Sequence, residues 1–350
     1  MSLTDLKSYY MQLPSDPQDY PYLVFSWRQG IFIHRRLPFG CRSSCLHAQQ
    51  VTEAVCKVYP HVSGHHVTGY VDDYPSINER PVAAPAYTQL HGVIDGFGLG
   101  RSPEKCEVPG DERLCLGIVY YMPTRTLGLP QQKLDRALGT IAEWLQADRV
   151  TKSQIETLVG FLNHIGIVVP AGRPFNALLY DALNSDNLPL TLDLETKRDL
   201  EMWQEFLTNS FTNCSSMKRL ISVPTNYPVA LAVRGHTCVI RCDEINVGYR
   251  INSPWDIPHH LMPAVAVWAI TEFHLDSIMG QVICVSVPTK VAAQVINRVS
   301  TRCKRIRPML RHMWLRQARS DTLIKAISAS SNVGWLYSDY VEFYDVDFPY

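Results

Sequence analysis

Tyr70-Val71-Asp72-Asp73 is the stretch whose reading decides the rest of this sequence. It follows Gly69 in the run GYVDDY, between a polar segment and Pro75. Two adjacent carboxylates on a tight turn between extended residues make a divalent-metal site, because hard cations take carboxylate oxygens. The same pair also suits a solvated hairpin tip, since Asp hydrogen-bonds its own backbone in turns. A third carboxylate upstream, with further motifs in the right order, favours the metal reading.

Upstream, Asp5 follows a short apolar start and ends an expected strand, with Tyr10 five residues on. Tyr22-Leu-Val-Phe-Ser-Trp27 and Ile31-Phe-Ile33, joined through Arg-Gln-Gly, read as a β-hairpin. Leu37-Pro38-Phe39-Gly40 closes it. A helix follows, with Leu46, Val51, Ala54, Val55 and Val58 on its inward face. His61, His65 and His66 read as loop histidines without a role. Downstream, residues 81–97 read as a helix with Tyr87, Leu90, Val93, Ile94 and Phe97 inward, ended by Gly98 and Gly100. Ser102-Pro-Glu-Lys105-Cys106 comes next, then a single strand from Leu114 to Tyr121 that carries Leu116 and Gly117.

Composition bounds the possibilities. A chain of 350 residues can build two or three domains with their own cores. At 46% hydrophobic and 19% charged it reads as globular and not disordered. The net charge is zero, so nucleic-acid binding must rest on local patches. The longest apolar run, around Leu261 to Ile270, is too short to span a bilayer, and the N-terminus lacks a signal-peptide pattern. The ten cysteines include no C-x-x-C pair, the closest being Cys41/Cys45 and Cys238/Cys242. That spacing argues against zinc and for reduced thiols in an intracellular protein of cytoplasm or nucleus, not a secreted one.

Residues 130–210 read as helical. Leu134, Leu138, Ile141 and Leu145 form one apolar stripe, and Thr151-Lys-Ser-Gln154 is a capping box opening a helix with Ile155, Leu158, Val159 and Leu162. A third helix, Leu194 to Leu207, carries Trp203 and Phe206. The remainder reads as strands near 228–233, 237–242 and 247–251, a helix over 259–279, a strand at 281–287, helices at 290–297 and 302–319, and a strand at 322–328. The 302–319 helix holds seven Lys or Arg and no acid, so it suits either a phosphate backbone or a solvated face.

Taken together, Asp5, Leu-Pro-Phe-Gly, Tyr-Val-Asp-Asp, Pro-Glu-Lys-Cys and Cys-Leu-Gly resemble, in order, the palm motifs of reverse transcriptases. Val159-Gly-Phe-Leu-Asn163 and Pro170-Ala-Gly-Arg-Pro-Phe175 look like the thumb region of retrotransposon polymerases, especially the DIRS/Ngaro group. The resemblance implies an α+β fold: a palm over residues 1–129, a helical thumb over 130–215 and an RNase H-like α/β domain over 220–350. It implies RNA-directed DNA polymerisation on an RNA or DNA template-primer with deoxynucleoside triphosphates. Asp5, Asp72 and Asp73 would hold two Mg²⁺ (or Mn²⁺) ions. Lys105 would approach the phosphates, and Tyr10 would sit under the sugar and exclude a 2′-hydroxyl. Phe39 and Gly40 would let backbone approach the nucleotide, with Tyr70 beside it, and Leu116 and Gly117 would grip the primer end.

The sequence departs from that family in places. Cys45 and Ala48 stand where a Pro and an aromatic usually follow Leu-Pro-Phe-Gly. Only four residues precede Asp5, so the fingers are expected to be largely missing and unaided polymerisation to be weak. A non-catalytic remnant that binds nucleic acid or a protein is the rival expectation. In the last domain Asp243-Glu-Ile-Asn-Val-Gly248 resembles the first catalytic motif of RNase H-like proteins. By spacing, however, the other carboxylates fall on Pro263, Pro288 and Leu336. RNase H activity is therefore expected to be absent.

Overall fold

Strand β1 (Ser2–Asp5) pairs antiparallel with β4 (Asp73–Ser76), from Ser2 opposite Ser76 to Asp5 opposite Asp73. This is seen in a computed structural model that describes residues 1–184, 190–209, 215–216, 228–234, 237–242, 245–252, 257–273, 276, 279, 282–298, 301, 303–320, 322–328 and 342–347. The chain divides into two contact units, Met1–Thr124 and Arg125–Tyr350.

In the first unit, the other edge of β1 is bridged by Glu107 at Leu3, and Arg101 bridges Leu6. Two flanking segments thus converge on Asp5. After α1 (Tyr9–Gln12), β2 (Val24–Trp27) and β3 (Gly30–Ile33) form the expected hairpin. Helix α2 (Ser44–Ser63) buries a face turned from the expected one, sharing Val55 with it and leaving Val51 and Ala54 half-buried. Ala48, Thr52, Val55 and Tyr59 are inside, whereas Leu46 and Val58 are exposed. Counting hydrophobic letters missed this stripe because two of its members are polar at the tip. Both find partners: the Tyr59 hydroxyl donates to Ala86 O (2.8 Å), and Thr52 is bonded as described below. Helix α3 (Arg80–Gly96) buries Ala86, Leu90, Val93 and Ile94, leaving Tyr87 half-buried. Phe97 is exposed, because the helix stops before it and the chain turns at Gly98, with φ at +71°. The expected single strand from Leu114 to Tyr121 is two, β5 (Glu112–Cys115) and β6 (Ile118–Tyr121). Positive φ at both Leu116 (49°) and Gly117 (73°) folds it into a two-residue hairpin turn.

The second unit opens with β7 (Thr126–Gly128) and α4 (Gln131–Gln146). Here the stripe centres on Ala137, Ile141 and Trp144, with Leu134, Leu138 and Leu145 half-buried beside it. After β8 (Arg149–Val150), α5 (Lys152–Ile165) starts with the expected capping box: Thr151 N donates to Gln154 Oε1 (2.8 Å) and Gln154 N to Thr151 Oγ1 (3.3 Å). A 3₁₀ segment, Pro170–Asn176, leads into α6 (Ala177–Leu183), β9 (Leu190–Thr191), α7 (Leu194–Thr208) and β10 (Ser215–Ser216). β8 pairs with β9 and β7 with β10. Within that 3₁₀ segment, a Cβ on Gly172 would lie 2.4 Å from the Trp203 ring, so only glycine lets the two pack. Trp203 is fully buried, and its indole N–H donates to Asn176 Oδ1 (2.9 Å).

The rest of this unit is a six-stranded sheet: β11 (Pro228–Arg234), β12 (Thr237–Cys242), β13 (Ile245–Asn252), β14 (Val282–Val287), β15 (Leu323–Ser328) and β16 (Glu342–Asp347). Its order is β15-β14-β11-β12-β13-β16. The first three strands run antiparallel in sequence, and β14 and β15 add parallel to β11. Helices α8 (Met262–Phe273), α9 (Lys290–Arg298) and α10 (Arg307–Arg319) follow in the order expected among the strands. β16, parallel to β13, was not anticipated. α8 is buried along most of its length and anchors the core. Pro263 sits in its first turn and Pro288 directly after β14, where the missing N–H breaks no ladder. Asp243 and Leu336 lie outside the described residues.

Candidate active site

Tyr70 to Asp73 close a tight turn by reciprocal bonds, Tyr70 N to Asp73 O (2.8 Å) and Asp73 N to Tyr70 O (3.0 Å). Val71 takes φ of 54°, a left-handed conformation that a β-branched residue adopts only under constraint. The constraint comes from α2. Val71 N donates to Gln49 Oε1 (2.8 Å), the Gln49 amide donates to Gly69 O (3.2 Å), and the Thr52 hydroxyl donates to Val71 O. The Tyr9 hydroxyl completes the cluster, donating to Ala48 O (2.9 Å) and lying 3.1 Å from Thr52 Oγ1. A Cβ on Gly69 would fall 2.2 Å from Thr52 Cγ2 and 3.1 Å from Cys56 Sγ. Gln49, Thr52 and Tyr9 were missed in the sequence. The one available signal was a Gln and a Thr three apart on a helix just upstream of the turn.

Around this turn the structure gathers the expected carboxylates. Asp5 stands directly across the ladder from Asp73, and Leu6 N donates to Asp72 O (3.0 Å). Like charges placed opposite each other across a strand pair repel. The Asp73 carboxyl is accordingly pushed above the ordinary Asp value, by burial first, then by the charges of Asp72 and Asp5, with Lys105 acting the other way. Asp5 is 9% exposed, and its Oδ1 has no hydrogen-bond partner. The Lys105 ammonium lies 3.4 Å from that oxygen. The Lys105 side chain is 63% exposed, held at its base by Lys105 N to Ser102 O (3.0 Å), while Ser102 N donates to Asp5 O (2.8 Å).

The expected substrate-side residues fall into two groups. The Tyr10 and Phe39 rings lie 4.7 Å apart between centroids, tilted at 35°, with Phe39 exposed. The Tyr10 hydroxyl is pushed up to about 12, chiefly by a hydrogen bond with the Cys45 thiol and then by burial and the charges of Cys45, Asp72 and Tyr70. Tyr10, Phe39, Tyr70 and Asp72 therefore belong to one neighbourhood. Gly40 has open space where a Cβ would stand, and its φ of +87° is what calls for glycine. Leu116 and Gly117 form the β5–β6 turn, Leu116 exposed. The adjacent Cys115 is pushed up to about 11 by burial and, next, by Asp73, which ties this turn to the carboxylates.

Does this donor set fit a divalent ion? Among the described residues no group of three or more His, Cys, Asp or Glu is disposed as a ready-made metal cage. The chemistry of the donors does fit: hard oxygens, one buried and without a hydrogen bond, and carboxylates whose mutual repulsion a cation would relieve. No helix among the described residues is long and apolar enough to cross a membrane.

No protein-family model matches this sequence, and no curated protein matches it. Solved structures do. Foamy viral protease-reverse transcriptase in its dRH form with double-stranded DNA superposes with a TM-score of 0.53 at 17% identity, covering 94% of this chain and 56% of that one. The same viral protein with an RNA/DNA hybrid gives 0.55 at 18%, covering 97% and 45%. With double-stranded DNA again it gives 0.51 at 16%, covering 99% and 67%. This chain thus spans about half the length of the first two, and it has a reverse-transcriptase fold.

Proposed function

We propose that this chain is the polymerase portion of a retroelement reverse transcriptase, adding deoxynucleotides to a primer 3′-end on an RNA or DNA template. The observation that carries the reading is Asp5 facing Asp73 across β1 and β4, with Asp72 on the turn that leads into β4 and a buried Asp5 oxygen without a hydrogen bond. Asp5 and Asp72 would hold the divalent ions, Mg²⁺ or Mn²⁺, with Asp73 completing the field. When bound, those ions supply charge stabilisation for an in-line displacement at phosphorus.

This chain's own residues do the rest. The strained turn, fixed by Gln49 and Thr52, sets where Asp72 stands. The Tyr10–Phe39 ring pair forms a floor for the incoming sugar and base. Lys105, whose side chain is 63% exposed although the Asp5 oxygen it faces at 3.4 Å is buried, offers a cation on the phosphate side. Tyr70, Leu116 and Gly117 shape the primer side. We assign residues 1–129 to the palm, 130–215 to the thumb and 220–350 to an RNase H-like domain without its chemistry, since Pro263 and Pro288 bring no ligating side-chain oxygen. The affinity is to the DIRS/Ngaro group, and the working compartment is cytoplasm or nucleus.

Primer extension on a defined template with Mg²⁺ tests this. Extension by the wild type that is lost in Asp72→Asn supports the reading. That no three-ligand cage stands ready-made among the described residues favours a second reading, a remnant that binds template-primer without extending it. Tight binding with no extension in Mg²⁺ or Mn²⁺ would select that alternative.

A further inference from the structure

A cavity of about 520 Å³ lies within the second unit, walled by α5, the 3₁₀ segment and α6 on one side and by α9, Thr301 and α10 on the other. Its walls carry three guanidiniums, Arg173, Arg298 and Arg307, and one carboxylate, Asp181. That carboxylate is already engaged: Arg307 grips it with both terminal nitrogens (2.6 and 3.1 Å). The Asp181 carboxyl is held below its ordinary value by Arg307 first, with Lys304 adding to the field. Arg173 and Arg298 have no carboxylate partner among the described residues. Among the described residues Arg173 is anchored only through Nε, which donates to Gly166 O (2.7 Å), so its two terminal nitrogens are left for something else. Its guanidinium is held below the usual value by burial. A half-buried cation without an acid carries an uncompensated desolvation cost, which an anion would offset.

We propose that this cavity binds a phosphorylated small molecule, its phosphate oxygens taken by Arg173 and Arg298. A planar guanidinium with two free terminal nitrogens matches phosphate bidentately. The volume falls within the roughly 300–1,000 Å³ typical of small-molecule pockets, and a nucleic-acid duplex would track a surface instead of entering it. Tyr180, 42% exposed on the wall, offers an aromatic face to a base or sugar. The site draws on Pro170-Ala-Gly-Arg-Pro-Phe175 and Asn163, which the polymerase chemistry leaves without a role. A ligand there would join the thumb helices to the sheet module.

The test is calorimetric titration of the full chain with sodium pyrophosphate and, separately, with thymidine monophosphate, both in EDTA so that no cation recruits phosphate to the palm. One saturable site is expected for at least one probe. Arg298→Gln, at the exposed C-terminal end of α9, should weaken it about ten-fold or more, the range of a charge-assisted hydrogen bond. Arg173→Lys, which keeps the charge and loses the fork, should weaken it as well. Asp72→Asn should leave it unchanged, which separates failure here from failure of the polymerase reading. Absence of saturable binding by either probe overturns the proposal. So does binding that survives Arg298→Gln in full, or that is lost in Asp72→Asn. Circular dichroism on each variant confirms folding, and Arg298→Gln decides alone if Arg173→Lys does not fold.

Discussion

Replacing Gly69 by Ala should disturb the candidate active site through a single methyl group. The new Cβ would stand 2.2 Å from Thr52 Cγ2, where ordinary contact begins near 3.4 Å, so something must yield by more than 1 Å. Neither neighbour yields easily. Thr52 is fully buried and holds Val71 O through its hydroxyl, and Gly69 O is itself bonded by Gln49. Overpacking of this kind costs about 1–3 kcal/mol. With a urea dependence of about 2 kcal/mol per molar, that is a shift of roughly 1 M in the opening midpoint. Urea-dependent hydrogen exchange on peptides covering residues 48–76 reads it locally, apart from the second unit. Thr52→Ser removes the clashing methyl and keeps the hydroxyl. The double variant should therefore recover most of the loss, with a coupling of about 1–2 kcal/mol. A neutral Gly69→Ala, or additive single effects, would refute the latch between α2 and the turn.

Three further outcomes are expected. Tyr10→Ala should raise ribonucleotide incorporation relative to deoxyribonucleotide in any extension activity, because on the proposed reading it removes the ring that meets the sugar; unchanged discrimination would reduce Tyr10 to packing. Asp199, buried on α7 with Glu195 and Asp193 nearby, has its carboxyl pushed up to about 7, burial outweighing the Arg311 charge. A raised folded value means the folded state holds the proton longer than the unfolded chain, so this contribution is full below about pH 4 and is lost as pH rises through 7. The melting temperature of the second unit should fall between pH 5 and pH 8, and Asp199→Asn should flatten that slope; an unchanged slope would contradict the assignment. Arg311→Met should cost about 3–5 kcal/mol by leaving Asp199 buried and unpaired, against about 0–1 for Arg319→Met, whose pair with Glu205 is exposed, and equal losses in urea denaturation would argue against burial as the cause.

Much of the fold was legible because the elements announce themselves by period and punctuation. The capping box at Thr151, the hairpin around Gly30 and the strand and helix order from residue 228 to residue 328 all stand as read. What the sequence concealed was phase and backbone sign. α2 faces inward through Thr52 and Tyr59, whose hydroxyls become acceptable inside only once tertiary partners exist. The Leu116 turn hid because nothing marks a leucine for positive φ until the strands on either side pair. The carboxylates of the candidate site were legible as letters, yet their cross-strand register, Asp5 opposite Asp73, is a property of the ladder. Gln49 was invisible for the same reason: its role is to bond a backbone that only the turn presents.

The basic helix α10 shows how far charge alone can mislead. Its arginines admitted two sequence readings, a phosphate-facing surface or a solvated one. The structure gives a third. Arg307 pairs with Asp181 on α6, Arg311 with Asp199 and Arg319 with Glu205 on α7, and Arg316 with Glu272 on α8. Arg311 also lies over the Phe175 ring at 5.3 Å. Met309, Leu310, Met313 and Trp314 are buried in the sheet module's core. One helix thus serves two jobs, apolar on the side that builds the module and cationic where it meets α6 and α7. Burial of the apolar face supplies the stabilisation, since exposed ion pairs contribute little and buried ones roughly offset their own desolvation. What the pairs add is register. Four arginines along a rigid helix meet carboxylates on three others in one alignment, and a slip of one residue would strand Arg311 away from a carboxylate that is itself buried. Negative charge elsewhere in the chain balances these cations, which is why a net charge of zero carried no hint of where they sit.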